Sequence, residues 1–84
     1  MKFKPLISAP PLPKETYKIK STQRFENVHK FLRDQLGLGE GVGLYTYVGF
    51  SFAPALDEGV GGLWKSFQVR GVLVVGYALQ SAFG

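Results

Sequence analysis

The most apolar segment of this 84-residue chain limits the folds that the chain can adopt. Residues 72–79 read Val-Leu-Val-Val-Gly-Tyr-Ala-Leu. A short apolar run rich in β-branched residues is typical of a strand that is covered on at least one face. We therefore predict that this segment is the central strand of a sheet and that the rest of the chain is arranged around it.

Three earlier segments also have strand patterns. Residues 2–7 predict a first strand, which Pro5 places at an edge or a bulge because proline donates no backbone hydrogen bond. Residues 16–20 alternate apolar and basic side chains and predict a second strand. The proline-rich turn at 8–13 then makes these two strands a hairpin. Residues 44–50 are aromatic and β-branched, and they predict a third strand.

Two segments instead have the spacing of a helix. Apolar residues three or four positions apart predict a long helix over 23–36: Phe25, Val28, Leu32 and Leu36. Thr22 is its expected N-cap, and Gly37 is expected just beyond its end. Asp57 is expected to cap a short second helix with apolar residues at helical spacing: Val60, Leu63, Trp64 and Phe67. We expect Trp64 to lie in the core, with its indole N–H bonded near the surface, and a partner-binding role is the alternative.

The resulting order of elements is that of one small domain with the β-grasp architecture. In this α+β fold a hairpin is followed by a crossover helix, and the last strand pairs in mid-sheet, parallel to the first. We expect a mixed sheet of four to five strands, crossed by the long helix, with the short second helix beside it. The domain is expected to span residues 1–79, and residues 80–84 are expected to form a tail.

Catalytic and metal-binding patterns are scarce in the sequence. The chain has no cysteine, which excludes a disulfide, a thiol nucleophile and a thiolate metal site, and which favours an intracellular setting. His29 is the only histidine, and we expect it to be a partly buried helical residue. No carboxylate pair is placed for acid–base work, and the glycine-rich segments lack a phosphate-binding spacing. We therefore expect no enzyme activity, metal or cofactor.

The positive charge leaves a second class of function open. The net charge is +4, and eight of the ten basic side chains lie in the first 33 residues. Such a basic half could meet nucleic acid, an acidic lipid surface or an acidic protein partner, or it could simply be solvated. Tyr45, Tyr47 and Phe50 could form a stacking platform for bases, although a β-grasp sheet covers one of its faces with the helix. No run approaches the roughly 20 apolar residues of a membrane span, and residues 1–5 lack the apolar core of a signal peptide.

The tail points to chemistry at the backbone rather than at a side chain. It ends in Gly84, whose carboxylate can enter a narrow channel because glycine has no side chain. Once activated, that carbonyl could be attacked by a thiolate and then by a lysine amine. A terminal glycine alone is a weak signal, but combined with a β-grasp domain it indicates a protein modifier.

Several short stretches together resemble a known family. They are Phe3-Lys4-Pro5, Ser8-Ala9-Pro10, Tyr17-Lys18-Ile19, Ser51-Phe52-Ala53-Pro54, Leu63-Trp64 and Ala82-Phe83-Gly84. Over nearly its whole length the chain resembles the ubiquitin-like autophagy modifiers known as the autophagy-related protein twelve family. One departure is Ile7, which stands where the family often has glycine.

The resemblance implies a course of conjugation and a set of partners. An activating enzyme would adenylate the terminal glycine with ATP, and the chain would pass as a thioester to a conjugating enzyme. The product would be an isopeptide bond to a lysine of autophagy-related protein five. With a coiled-coil partner, the conjugate would act like a ligase for a lipid-transferring conjugating enzyme that attaches a second ubiquitin-like protein to phosphatidylethanolamine. The expected location is the cytoplasm, with recruitment to the forming autophagosome membrane.

The resemblance also assigns roles by position. Gly84 would be the attachment residue, and Ala82 and Phe83 would be recognised with the tail. Tyr17, Lys18 and Phe52 would be candidate residues for docking the lipid-transferring enzyme, although packing in the domain would explain Tyr17 and Phe52 equally well. The alternative function is a β-grasp interaction domain that is never conjugated.

Overall fold

The computed structural model describes residues 1–49 and 51–80 of the chain. Within them lie three strands and two helices, in the order β1 (Lys2–Pro5), α1 (Phe25–Leu36), β2 (Tyr45–Val48), α2 (Val60–Phe67) and β3 (Val74–Ala78). The helical stripe and the apolar final strand of the sequence therefore both correspond to regular elements.

The last strand lies in the middle of the sheet, as predicted. The strand order is β1-β3-β2, with β1 parallel to β3 and β2 antiparallel to it. Val75 stands opposite Phe3 on one side and opposite Val48 on the other. Val75 and Tyr77 have no exposed surface. This arrangement confirms the β-grasp order of elements.

Two neighbouring segments of the chain lie unusually close to β3 at Gly76. A Cβ atom there would lie 2.6 Å from the carbonyl oxygen of Gly49 and 2.8 Å from Cδ1 of Leu6. Real side chains do not reach such distances, so glycine is what lets the chain on both sides pack against the centre of β3.

The predicted second strand is reduced to a single bridge. Thr16 pairs with Lys2, the N–H of Tyr17 donates to the carbonyl of Met1 at 2.9 Å, and the N–H of Phe3 donates to the carbonyl of Glu15 at 2.8 Å. In this antiparallel register the next hydrogen-bonded pair would be Pro5 and Pro13, neither of which has an N–H. The segments run antiparallel as expected, but the described residues form three regular strands rather than four or five.

The two helices begin by capping each other, and the predicted caps are wrong. α1 starts after Arg24 rather than at Gln23, and the N–H of Phe25 donates to the carbonyl of Glu58 at 2.8 Å. In return, the N–H of Val60 at the start of α2 donates to the carbonyl of Gln23 at 2.9 Å. Neither Thr22 nor Asp57 caps a helix, because backbone carbonyls supply the acceptors that side chains supply elsewhere. The predicted C-terminal residue is correct, since Gly37 ends α1 in the left-handed conformation at φ 64°.

The core lies between the sheet and the helices. The α1 stripe contributes three side chains with no exposed surface, Phe25, Val28 and Leu32, and α2 contributes Val60 and Leu63. The prediction that Trp64 lies in the core is wrong. Its side chain is 44% exposed, because α2 turns that side toward solvent. Its indole N–H nevertheless has the expected surface partner, the carbonyl of Gly71 at 3.0 Å.

A strained turn follows β1. Ile7 and Ser8 have φ of 47° and 58°, and the N–H of Ala9 donates to the carbonyl of Leu6 at 3.0 Å across them. The left-handed region is unfavourable for a β-branched residue, whose side chain crowds the backbone there. The structure thus explains why glycine is suited to the position that Ile7 occupies.

We predict that Ile7→Gly stabilises the domain by about 1 kcal/mol, because it removes the left-handed strain. The Ile7 side chain is 46% exposed, so little packing is lost. Urea unfolding at constant m-value measures the change. Ile7→Ala is the matched control, since alanine removes most of the side chain but keeps a Cβ in the left-handed region. A lower free energy of unfolding for Ile7→Gly than for Ile7→Ala would contradict the strain.

Candidate functional site

The predicted attachment and tail-recognition residues lie outside the part of the chain that the structure describes. Gly84, Ala82 and Phe83 therefore keep the roles that the sequence predicts for them, without a structural test. The structure describes the path of the chain up to Gln80. β3 ends at Ala78, and Gln80 is already exposed. The central strand thus delivers the chain to the surface within two residues.

Tyr17 belongs to a cluster of three aromatic rings. Its ring centroid lies 4.9 Å from that of Phe31 on α1, in an edge-on arrangement, and 5.7 Å from that of Phe3 on β1. Such geometry stabilises aromatic pairs beyond the area they bury. Tyr17 remains half-buried. The ring therefore packs in the domain and still exposes part of its surface, and its docking role stays a prediction.

A groove of about 310 Å³ begins beside Tyr17. It lies between residues 18–20 and α1, and its apolar floor includes Ile19, Val28 and Phe31. Lys18 and Lys20 line it and are exposed. An apolar groove with basic side chains can hold a partner segment that carries apolar and acidic groups. Lys18 thus lines this groove, and its docking role stays a prediction. Ile19 also lines a second cleft of about 390 Å³, together with Met1 and Trp64.

Phe52 lies in a different cluster. Its ring centroid is 5.0 Å from that of Phe67 on α2, and its backbone forms a bridge with Val48 at the end of β2. It is half-buried and packs against the core. The three predicted docking residues therefore do not form one site. Lys18 lines the groove and Tyr17 packs next to it against Phe31, whereas Phe52 belongs to the contact between α2 and the sheet.

His29 is partly buried on α1, as the sequence predicts. Its Nδ1 lies 3.4 Å from the hydroxyl oxygen of Thr46 on β2. Burial lowers the pKa of His29 below its ordinary value, and the nearby cation of Arg33 lowers it further. Among residues 1–49 and 51–80, no hydrogen bond or ion pair joins the ring to a carboxylate that would make it a base, so its surroundings are those of a packing residue.

The aromatic platform considered for nucleic acid is not formed by Tyr45 and Tyr47. Tyr45 is 43% exposed, whereas Tyr47 is 4% exposed and so offers no face for stacking. Among residues 1–49 and 51–80 no group of three metal-ligating side chains comes together. In the same part of the chain, no helix has the length and apolar character needed to cross a membrane.

Comparisons with known proteins agree on one family. The family model for the ubiquitin-like autophagy protein Apg12 matches residues 1–84. A curated ubiquitin-like protein ATG12 of Neosartorya fischeri is 46% identical over the whole chain, which covers 48% of that relative. One of Phaeosphaeria nodorum is 46% identical with 62% of its length covered, and one of Cryptococcus neoformans is 40% identical with 80% covered. The chain thus spans about half the length of the first of these relatives.

A solved structure shows the same fold at low sequence identity. The crystal structure of Trypanosoma brucei ATG8 superposes with a TM-score of 0.84 and 15% identity, covering 99% of this chain and 73% of that one. The likeness establishes the ubiquitin-like β-grasp fold.

We predict that His29 makes stability depend on pH. Because its pKa is lower in the folded state than the ordinary 6.5, the unfolded chain binds a proton more readily. The free energy of unfolding is therefore unaffected by His29 above about pH 7 and falls as the pH drops toward about 5. Urea unfolding at a series of pH values measures this. His29→Gln should make the free energy of unfolding less dependent on pH between about pH 7 and pH 5, where carboxylates contribute little to that dependence. An equal fall in the variant would exclude His29 as the source.

Proposed function

The chain belongs to the Apg12 family of ubiquitin-like autophagy proteins, and on that premise we propose that it is a modifier joined through Gly84 to a lysine of autophagy-related protein five. The observation that carries the proposal is the family match over all 84 residues, including the terminal aromatic-glycine pair. The path of the chain supports it, because the central strand leads directly to the surface before the tail begins.

The proposed chemistry takes place at the Gly84 carboxylate. Its oxygen attacks the α-phosphate of ATP on the activating enzyme, which forms an acyl adenylate and releases pyrophosphate. A cysteine thiolate of that enzyme displaces AMP to form a thioester, and a second cysteine, on the conjugating enzyme, takes over the acyl group. Attack by the target lysine amine forms the isopeptide bond and releases the thiol. The domain contributes the carboxylate and its presentation, while the catalytic side chains belong to the enzymes.

The conjugate is proposed to dock the lipid-transferring conjugating enzyme with the help of a coiled-coil partner. The groove beside Tyr17 supports this role, because it combines an apolar floor with the exposed cations of Lys18 and Lys20. In the cytoplasm the conjugate would then be recruited to the forming autophagosome membrane. The same groove could bind a partner without conjugation, which is the alternative function that the next experiment separates.

We predict that deletion of Gly84 abolishes activation. Purified activating enzyme and ATP should convert the full chain into an adduct that thiols cleave on a gel, and the deleted chain should form none. The reason is that the new terminal carboxylate lies one residue short and carries an aromatic side chain. Gln80→Ala is the matched control, since it alters the exposed start of the tail and keeps Gly84. A thiol-sensitive adduct of the deleted chain would rule out the modifier function.

We predict that Lys18→Glu weakens binding of the lipid-transferring enzyme by about tenfold, because it reverses a charge at the groove. Lys18 is exposed, so the melting temperature should not change. Lys30→Glu makes the same charge change on α1 without touching the groove, and it should bind normally. Normal binding by Lys18→Glu, measured by calorimetry, would remove the groove from the docking site.

Phe52→Ala should instead cost roughly 2 kcal/mol of stability by removing a half-buried ring.

A further inference from the structure

The outer side of α2 exposes more apolar surface than a solvated helix requires. Trp64 and Phe67 lie three residues apart on one side of the helix and are 44% and 45% exposed. Val69, which follows the helix, is 66% exposed. We call these three residues, with the neighbouring Lys65 and Arg70, the α2 patch. None of its residues lines the groove beside Tyr17.

Hydrogen bonds hold Trp64 and the turn after α2 in place. The indole N–H of Trp64 donates to the carbonyl of Gly71 at 3.0 Å, and the N–H of Gly71 donates to Oε1 of Gln68 at 2.6 Å. Val69 and Val72 exchange backbone N–H···O bonds of 2.8 and 3.0 Å across the turn that carries Arg70. Exposed aromatic side chains that are already fixed lose little freedom on binding, which is the usual character of an interface anchor.

The charged side chains of the segment that carries the patch have one sign. Lys65 and Arg70 are exposed, and the ion pair between Lys2 and Glu15 is the one formed in the described part of the chain. Residues 59–80 contain no acidic side chain. The patch therefore combines an apolar centre with unpaired positive charges at its border.

We propose that the α2 patch binds an acidic amphipathic segment of a partner protein. Apolar side chains of that segment pack on Trp64, Phe67 and Val69, and its carboxylates pair with Lys65 and Arg70. A second copy of the chain fits poorly, because a self-complementary contact would bring like charges together. A bilayer also fits poorly, because Trp64 is held in place by its indole hydrogen bond and because the patch has only two cations. The proposal does not depend on conjugation at Gly84.

The single tryptophan of the chain allows a direct test. A random-peptide phage library is panned on the full chain at low salt and counter-selected on Lys65→Glu/Arg70→Asp, in which aspartate tolerates the left-handed backbone of position 70. We expect the enriched peptides to carry Asp or Glu beside apolar residues at helical spacing. Synthetic copies should shift Trp64 emission to shorter wavelength, bind roughly tenfold more weakly to the double variant, and weaken with salt.

Lys14→Glu/Lys30→Glu is the matched control, because it changes the net charge equally outside the patch and should bind like the wild type. Enriched peptides that are basic, or that bind the double variant as well as the wild type, would overturn the proposal. So would an emission shift produced by vesicles of equal parts phosphatidylcholine and phosphatidylserine but by no peptide. An emission shift that follows protein concentration alone would assign the patch to self-association and overturn it as well.

Discussion

β3 forms backbone hydrogen bonds along both of its edges, and each of the other elements is placed by that fact. β1 can lie parallel to it because α1 and the loops provide the crossover, and β2 returns antiparallel on the other side. At Gly76 the strand is approached so closely by Gly49 and Leu6 that a methyl group could not be accommodated. The buried faces of Val75 and Tyr77 then set where the core lies. The route of the tail follows from the same strand.

The elements that local pattern determines could be predicted from the sequence. The stripe of α1, its end at Gly37 and the apolar strand 74–78 depend on residue spacing and on one backbone conformation, both of which are visible in the sequence. The second strand could not be judged in this way. The segment does not extend into a regular strand because Pro5 faces Pro13. This register can be recognised only when the pairing of the two segments is known. The helix caps were missed for a similar reason, since their acceptors are carbonyls of a distant segment.

The sequence does not show how the predicted docking residues are grouped in space. Lys18 is exposed and Tyr17 is half-buried, but their docking roles stay predictions. Phe52 was placed with them because it lies in a distinctive stretch of sequence, yet its ring packs on Phe67 in another part of the molecule. The exposure of Trp64 was missed because helical spacing shows which residues share a side but not which side faces the sheet. One signal was available: residues 59–80 lack acidic side chains, which marks that surface as electrostatically one-sided.

The reciprocal capping of α1 and α2 has a consequence for how the domain opens. The first turn of each helix depends on carbonyls that precede the other, through the bridge between Arg24 and Gly59. Neither helix can complete its start while the other is detached, so the two starts form and break in one cooperative step. The amide protons of Phe25 and Val60 therefore become accessible to solvent together. This couples α2, which carries the patch at its other end, to the helix that walls the groove, although the two surfaces share no residue.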